Sequence, residues 1–205
     1  MEASEIVGKL LPLLFNMMGP IALIPAFAGM TAGMDSETRK AVARRASLLS
    51  LAALAIAVFL GAGVLQGWGI SKGSLILTAG IIMTLSVLKS MLFAQVKEAG
   101  SQAAPKQPKD LAVSPLAFPT IVTPQAVAVL IIFIAYFPAL EAKLAIFAVA
   151  VVIMTINFGA MHAAHWFMAK IGMVPLLVLG AVFGVLQVAL GVEMISDGLR
   201  ELGKV

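Results

Sequence analysis

Residues 16–25 read Asn16-Met-Met-Gly-Pro-Ile-Ala-Leu-Ile-Pro25, with two prolines five residues apart inside a long apolar run. Proline has no backbone N–H, so Pro20 cannot donate to the carbonyl of Asn16, nor Pro25 to that of Ile21. In hydrocarbon an unpaired carbonyl costs several kcal/mol, and such a break persists only against protein or a wet cavity. The device recurs in Pro119-Thr-Ile-Val-Thr-Pro124, with the same spacing, at the opening of a later apolar run. Broken helices at corresponding positions of two halves are a pointer to a transport site. Prolines that merely kink helices for packing are the simpler alternative.

The rest of the chain suits a membrane. Of its 205 residues 61% are hydrophobic and 12% charged, where soluble domains carry about 25% charge. The net charge of +4 is no nucleic-acid signal, because the basic residues are scattered over connections and form no stripe. The absence of cysteine removes disulfides, thiolate catalysis and cysteine-ligated metals. A span needs roughly 20 apolar residues. Six stretches qualify, near Ile6–Met30, Ala46–Leu65, Gly73–Gln95, Ser114–Tyr136, Leu144–Phe167 and Val174–Ile195. The first run is too long for a signal-peptide core, and no cleavage is expected.

Between the spans, Asp35-Ser-Glu-Thr-Arg-Lys40 reads as a loop with a helix-capping signature. The connection from Gln66 to Lys72 is short and carries an interfacial Trp68. Residues 97–111, with lysines, prolines, Gly100 and Ser101 and no apolar period, read as a linker. The expected fold is therefore all-α, a polytopic membrane protein of six transmembrane helices whose first and fourth are proline-broken. Residues 1–96 form one three-helix half and residues 112–205 the other, within one membrane domain. Three spans per half send the second half in from the opposite face, so related halves must be inverted repeats. An offset of 104 residues supports this, placing Pro20 on Pro124, Ala22 on Ala126 and Gly80 on Gly184.

Orientation follows the excess of Lys and Arg on the cytoplasmic side. Arg39, Lys40, Arg44, Arg45, Lys89, Lys97, Lys106, Lys109 and Lys170 share one side. Only Lys9, Lys72, Lys143, Arg200 and Lys204 share the other. The richer side is expected in the cytoplasm and both termini outside.

A proline break exposes carbonyls on one side and free N–H groups at the start of the next half-helix. The N–H end carries partial positive charge and suits a carboxylate, while the carbonyls suit an ammonium. A site with both would match a zwitterion such as an amino acid. Asn16, Thr120, Thr123 and Gln125 add uncharged hydrogen-bonding groups beside Pro20 and Pro124, and no charged residue interrupts either broken helix at mid-span. His162 and Glu193 are candidates for proton coupling. His162 pairs with His165 on one helical face, although rings near Trp166 gather at an interface anyway. Glu193 sits in the last turns of the sixth span, where a carboxylate is costly unless paired or wet; reaching outer headgroups with Asp197 is its plainer role. Lys89 reads as snorkelling to the surface, and Gly180-Ala-Val-Phe-Gly184 as a close helix contact.

The motifs resemble a known family. Gly19-Pro-Ile-Ala-Leu-Ile-Pro-Ala-Phe27, followed by Thr31, is similar to the first-helix motif of the MarC family, N-P-x-G-x-x-P-x-F-x-x-L-T. Pro115-Leu-Ala-Phe-Pro-Thr-Ile-Val-Thr-Pro-Gln-Ala126 resembles its second motif, P-L-A-x-P-x-x-x-G-P-G-A. Glu193-Met-Ile-Ser-Asp-Gly198 resembles its closing Q-x-x-x-D-G. The resemblance covers nearly the whole chain. It implies the cytoplasmic (inner) membrane of a prokaryote and kinship with small exporters, among them the lysine exporter family and proteins described as small neutral amino acid transporters. Four positions depart from the motifs. Gly19 stands for the family asparagine, Ala22 for a glycine, and Thr123 and Gln125 for two more glycines. Gly19 and Ala22 join the candidate binding residues on this ground, and the changes imply either a different or smaller substrate or polar contacts shifted from one helix to the other.

Together these features point to a secondary transporter or exporter of small neutral metabolites, amino acids first among them. The expected partners are that solute, the bilayer and a second copy of the chain, with no nucleic acid; no cofactor or metal is called for. A channel-like pore and a non-transporting scaffold or regulator are the alternatives. An enzyme is not expected: the chain has no His-Glu-x-x-His pair, mid-membrane aspartate pair or Gly-x-Ser-x-Gly elbow. The orientation is testable by cysteine labelling. A membrane-impermeant thiol reagent added outside should mark Ala3→Cys and leave Ala103→Cys unmarked; the reverse pattern would invert the topology.

Overall fold

The computed structural model describes residues 3–92 and 107–203. Every regular element among them is helical. In order these are α1 (Ala3–Met18), α2 (Pro20–Met30), α3 (Ser36–Gly67), α4 (Lys72–Leu92), α5 (Pro108–Leu111), α6 (Pro124–Tyr136), α7 (Leu140–Lys170) and α8 (Met173–Leu202). An irregular helical stretch, Ala112–Ile121, joins α5 to α6, with Ser114 and Phe118 in extended conformation. Most of the linker expected over 97–111, including position 103, lies outside the described residues, and its last four residues form the single turn α5.

Among the described residues five stretches are long and apolar enough to cross a membrane: α1 with α2 (Ser4–Met30), α3, α4, α7 and α8. The pair Pro108–Ile121 and Pro124–Tyr136, bent by 59°, raises the number to six if it is one span. Its two ends lie at opposite ends of α3. Pro108 and Lys109 stand beside Arg44 and Arg45 near the start of α3, while Ile131 packs on Gly61 near its end.

The helices outrun the apolar stretches that define them. α3 begins at Ser36, well before the apolar run opens at Ala46, so the supposed loop Asp35–Lys40 is mostly helix. The cause is local. Asp35 accepts the N–H groups of Glu37 and Thr38 at 3.0 and 3.1 Å and the Thr38 hydroxyl at 2.5 Å. It thereby satisfies donors that have no helical partner, and the Thr38 hydroxyl leads in holding this carboxyl below its ordinary pKa range.

α7 is the central strut. It packs on α1, α2 and α3, and 44% of its most apolar window is buried against 11% for α8. Met18 meets Asn157, and Thr31 meets His165, so α1 and α2 run parallel to α7. Phe59 lies beside Phe147, ring centroids 5.6 Å apart, and Arg39 and Lys40 stand beside His162 and His165, so α3 runs antiparallel to it. The outer face of α8, with Val178, Val182, Val185 and Leu186 exposed, has the character of a lipid-facing surface. Trp68, 78% exposed at the end of α3, fits the aromatic belt at a membrane interface.

The most extensive helix contact is the antiparallel seam of α4 and α8. Gly184, Gly191 and Gly198 recur along α8 at seven-residue spacing and present bare backbone to α4. A Cβ at Gly80 would stand 2.6 Å from the Gly191 carbonyl oxygen, and one at Gly198 would stand 2.6 Å from the Leu77 backbone nitrogen. Without a hydrophobic drive between helices in lipid, close backbone approach supplies the attraction. Gly180 takes no part, having nothing within 4 Å of its Cβ position: Met91, one residue from the end of α4, already stands opposite Gly184. Gly198→Ala should therefore destabilise the protein by about 1–3 kcal/mol, read as a lower melting temperature in detergent. Gly180→Ala should leave that temperature unchanged or raise it.

Candidate functional site

α1 stops at Met18, Gly19 is extended (φ −70°, ψ 165°), and α2 starts at Pro20. Proline is well placed as a first helical residue, where its missing N–H is not needed and its φ is preset. A side chain on Gly19 would run into the Phe15 carbonyl oxygen, so this turn closes only on glycine. α6 opens in the same way. Thr123 is extended (φ −81°, ψ 146°), Pro124 is the first helical residue, and Thr123 Oγ1 accepts the Ala126 N–H at 3.3 Å. Thr123 thus caps α6 from a position where the resembled motif has glycine.

A cavity of about 270 Å³ lies between the two breaks, α4 and α8. Asn16, Gly19 and Ala22 line it from the first break, and Thr120, Thr123 and Gln125 from the second. Ser86 and Ser90 of α4 and Gln187 of α8 complete its polar wall, and Phe15 and Phe183, edge to face at 6.5 Å, form part of its apolar wall. None of the described residues that line it is charged. Pro20 and Pro124, candidates from the sequence, are not among the lining residues, and Pro124 is exposed. The prolines make the breaks, while the extended residue before each and the turn after it make the wall.

Two side-chain amides, not singled out in the sequence, hold the end of α1. Asn157 of α7, fully buried, donates from Nδ2 to the Met18 carbonyl at 2.7 Å. Gln187 of α8 donates from Nε2 to the Asn16 carbonyl, and the same nitrogen lies 3.5 Å from Asn16 Oδ1. The signal for both was a lone amide inside an apolar span, which usually reaches across to another helix. Gln125 is only 6% exposed and its Oε1 has no hydrogen-bond partner.

The proposed proton-coupling residues stand elsewhere. Glu193 is exposed on α8 and does not line the cavity. His162 is exposed too, with Nδ1 3.3 Å from the Phe158 carbonyl and its ring 4.5 Å from the Phe158 ring. His165 shares a hydrogen bond of 3.0 Å with Thr31 Oγ1. Both histidines lie toward the end of α7, beside Arg39 and Lys40 around a separate cavity of about 70 Å³. Of the residues named from the sequence, the central cavity gathers six and leaves out the prolines, Glu193 and His162.

The buried amides can be weighed by substitution. Asn157→Leu strands the Met18 carbonyl in an apolar setting and should cost about 1–3 kcal/mol of stability. Ser50→Ala removes a fully buried hydroxyl that has no partner, so it should be neutral or stabilising. Melting temperatures of the two variants in one detergent make the comparison.

Comparison with known proteins adds the ancestry. No solved structure matches the chain. The UPF0056 membrane protein YvbG of Bacillus subtilis (strain 168) is 25% identical over 193 residues, covering 91% of this chain and 90% of that protein. The family described as "MarC family integral membrane protein" matches residues 4–202, a stretch that takes in both helix breaks and the cavity between them. The chain belongs to the MarC family of integral membrane proteins.

Proposed function

We propose that the chain is a multi-pass secondary transporter or exporter of small polar solutes without net charge, neutral amino acids among them. The observation that carries this is the uncharged cavity shared by the two proline breaks, at the start of two half-helices. Ligand pockets for drug-sized molecules run to about 300–1,000 Å³, so a cavity of about 270 Å³ suits a smaller cargo.

The inverted repeat supplies the mechanism. Gly19 and Thr123, both extended caps before a proline, are 104 residues apart, and so are Ser36 and Leu140, the first residues of α3 and α7. α4 and α8, third in each half, lie antiparallel against one another. The path of the bent pair along α3 favours one broken crossing over a loop that returns to its own side. A second cavity, of about 800 Å³, lies between α1, α4, α6 and α8, lined by Leu13, Ile76, Phe133 and Met194. Along α4 the fully buried Met83 stands between Ile76 of this cavity and Ser86 of the first. Rocking one repeat against the other would open the site between the breaks to either side in turn. In this reading the linker is cytoplasmic and both termini are outside, which the lysine and arginine count supports. The sequence holds no phosphate-binding loop, so uphill movement would draw on an ion gradient.

Proteoliposomes loaded with a panel of labelled neutral amino acids test the proposal. Gradient-sensitive movement of at least one is expected, and no movement of any would remove the transporter. Pro124→Ala lets the second broken helix close and should abolish transport while the protein still folds and inserts. Gln125→Leu keeps volume but removes a polar group from the wall, and should weaken apparent affinity about tenfold, the equivalent of one hydrogen bond. Normal transport by both variants would place the route elsewhere.

A further inference from the structure

We infer that the groove between the start of α3 and α5 is a binding site for an anionic phospholipid. Arg44, Arg45 and Lys109 take the phosphate, and Leu48 and Leu49 take the upper part of an acyl chain. The inference needs only that the chain sits in a membrane, and stands whether or not it moves a solute.

The first ground is the lining. The groove, of about 500 Å³, sets three cations beside Ala41, Val42, Leu48, Leu49 and Pro108. No carboxylate is among its described lining residues, and Asp110, next to Lys109, does not line it. None of the three cations makes an ion pair among the described residues, whereas Lys9, Lys40 and Arg200 each have a carboxylate 2.9–3.4 Å away. α3 holds no acidic residue after Glu37, and Glu37 is taken by Lys40. Three like charges on an apolar wall repel one another, and a phosphate between them relieves this. The planar fork of arginine suits phosphate oxygens in particular.

The second, independent ground is depth. Arg45 and Trp68 lie 23 residues apart along one helix, which at 1.5 Å per residue is about 34 Å. The hydrocarbon core is about 30 Å thick. With Trp68 in one interface, the arginines therefore stand in the other, at headgroup level. Between them α3 has no charged residue. Leu48, Ala52, Ile56, Leu60 and Val64 recur there at four-residue spacing, all exposed, as an apolar ridge that begins under the arginines. A free phosphate would use the cations and leave the ridge bare, whereas a lipid uses both. Basic pockets between helices at the cytoplasmic surface are the form that anionic headgroup sites take. Because Lys109 belongs to α5 and the arginines to α3, one phosphate ties the opening of the bent pair to α3.

The test is native mass spectrometry of the intact protein released from detergent micelles. The protein is first incubated with equal amounts of phosphatidylglycerol, phosphatidylethanolamine and phosphatidylcholine bearing the same chains. Phosphatidylglycerol, the anionic one, should be retained at least about tenfold over the two zwitterionic lipids. Arg44→Gln, Arg45→Gln and Lys109→Gln should each cut that preference about fivefold, and the triple variant should show none. Lys170→Gln, an equal loss of charge at the end of α7, should change nothing. Equal retention of the three lipids, or a preference that the triple variant keeps, would overturn the inference. Displacement of the bound lipid by inorganic phosphate or glycerol 3-phosphate would overturn it too, since the groove would then read phosphate alone. A dimer that the triple variant splits would do the same, the groove being covered by a second copy. The headgroup ranking on the unaltered protein is decisive without any variant, so one that fails to fold costs the test nothing.

Discussion

A backbone carbonyl in hydrocarbon must find a donor, and this structure is arranged around two places where the chain itself withholds one. Pro20 and Pro124 remove N–H groups in the middle of apolar stretches. At the first break the debt is met from across the bundle, by Asn157 on α7 and Gln187 on α8. Those two bonds tie the end of α1 to two helices far along the chain. They explain why a broken helix can be buried at all.

The same bonds shape the cavity's chemistry. Had the Asn16 and Met18 carbonyls stayed free, the site would present equal and opposite ends, acceptors facing donors. With amides on these two carbonyls, the polar wall that remains is made largely of side chains, Ser86, Ser90, Thr120 and Gln125 among them. Thr123 and Gln125, which replace glycines of the family motifs, take different parts in this. Thr123 turns its oxygen back to cap α6, whereas Gln125 keeps one oxygen without a partner. Gly19 goes the other way, losing the family's side chain where the Phe15 carbonyl occupies the space.

The cavity also depends on how tightly its walls can close. α4 and α8 meet through glycine so closely that backbone touches backbone. Toward Gly184 the seam opens, and Ser86, Ser90 and Gln187 turn to the cavity. Tight packing at one end of the pair and a polar gap further along come from one pattern, glycine at each two turns on α8 with larger residues between.

Much of this was legible in the sequence because it depends on local chemistry. Apolar length marks the spans, a missing N–H marks each break, and composition places the chain in a membrane. Even the family is visible in Pro115-Leu-Ala-Phe-Pro119. Boundaries were less legible: α3 starts at Ser36 because Asp35 caps it, and a cap operates independently of hydropathy. What only the tertiary structure decided is which groups meet across the bundle. Asn157 and Gln187 are single amides in apolar helices, and nothing in their neighbours says which carbonyl each will take. That choice is made when α7 and α8 pack against α1, 139 and 171 residues away in sequence. His162 and Glu193 show the converse: their types suggest chemistry, yet the packing leaves both on the outside. Side-chain identity sets what a residue can bond, and helix packing sets whether a partner is there.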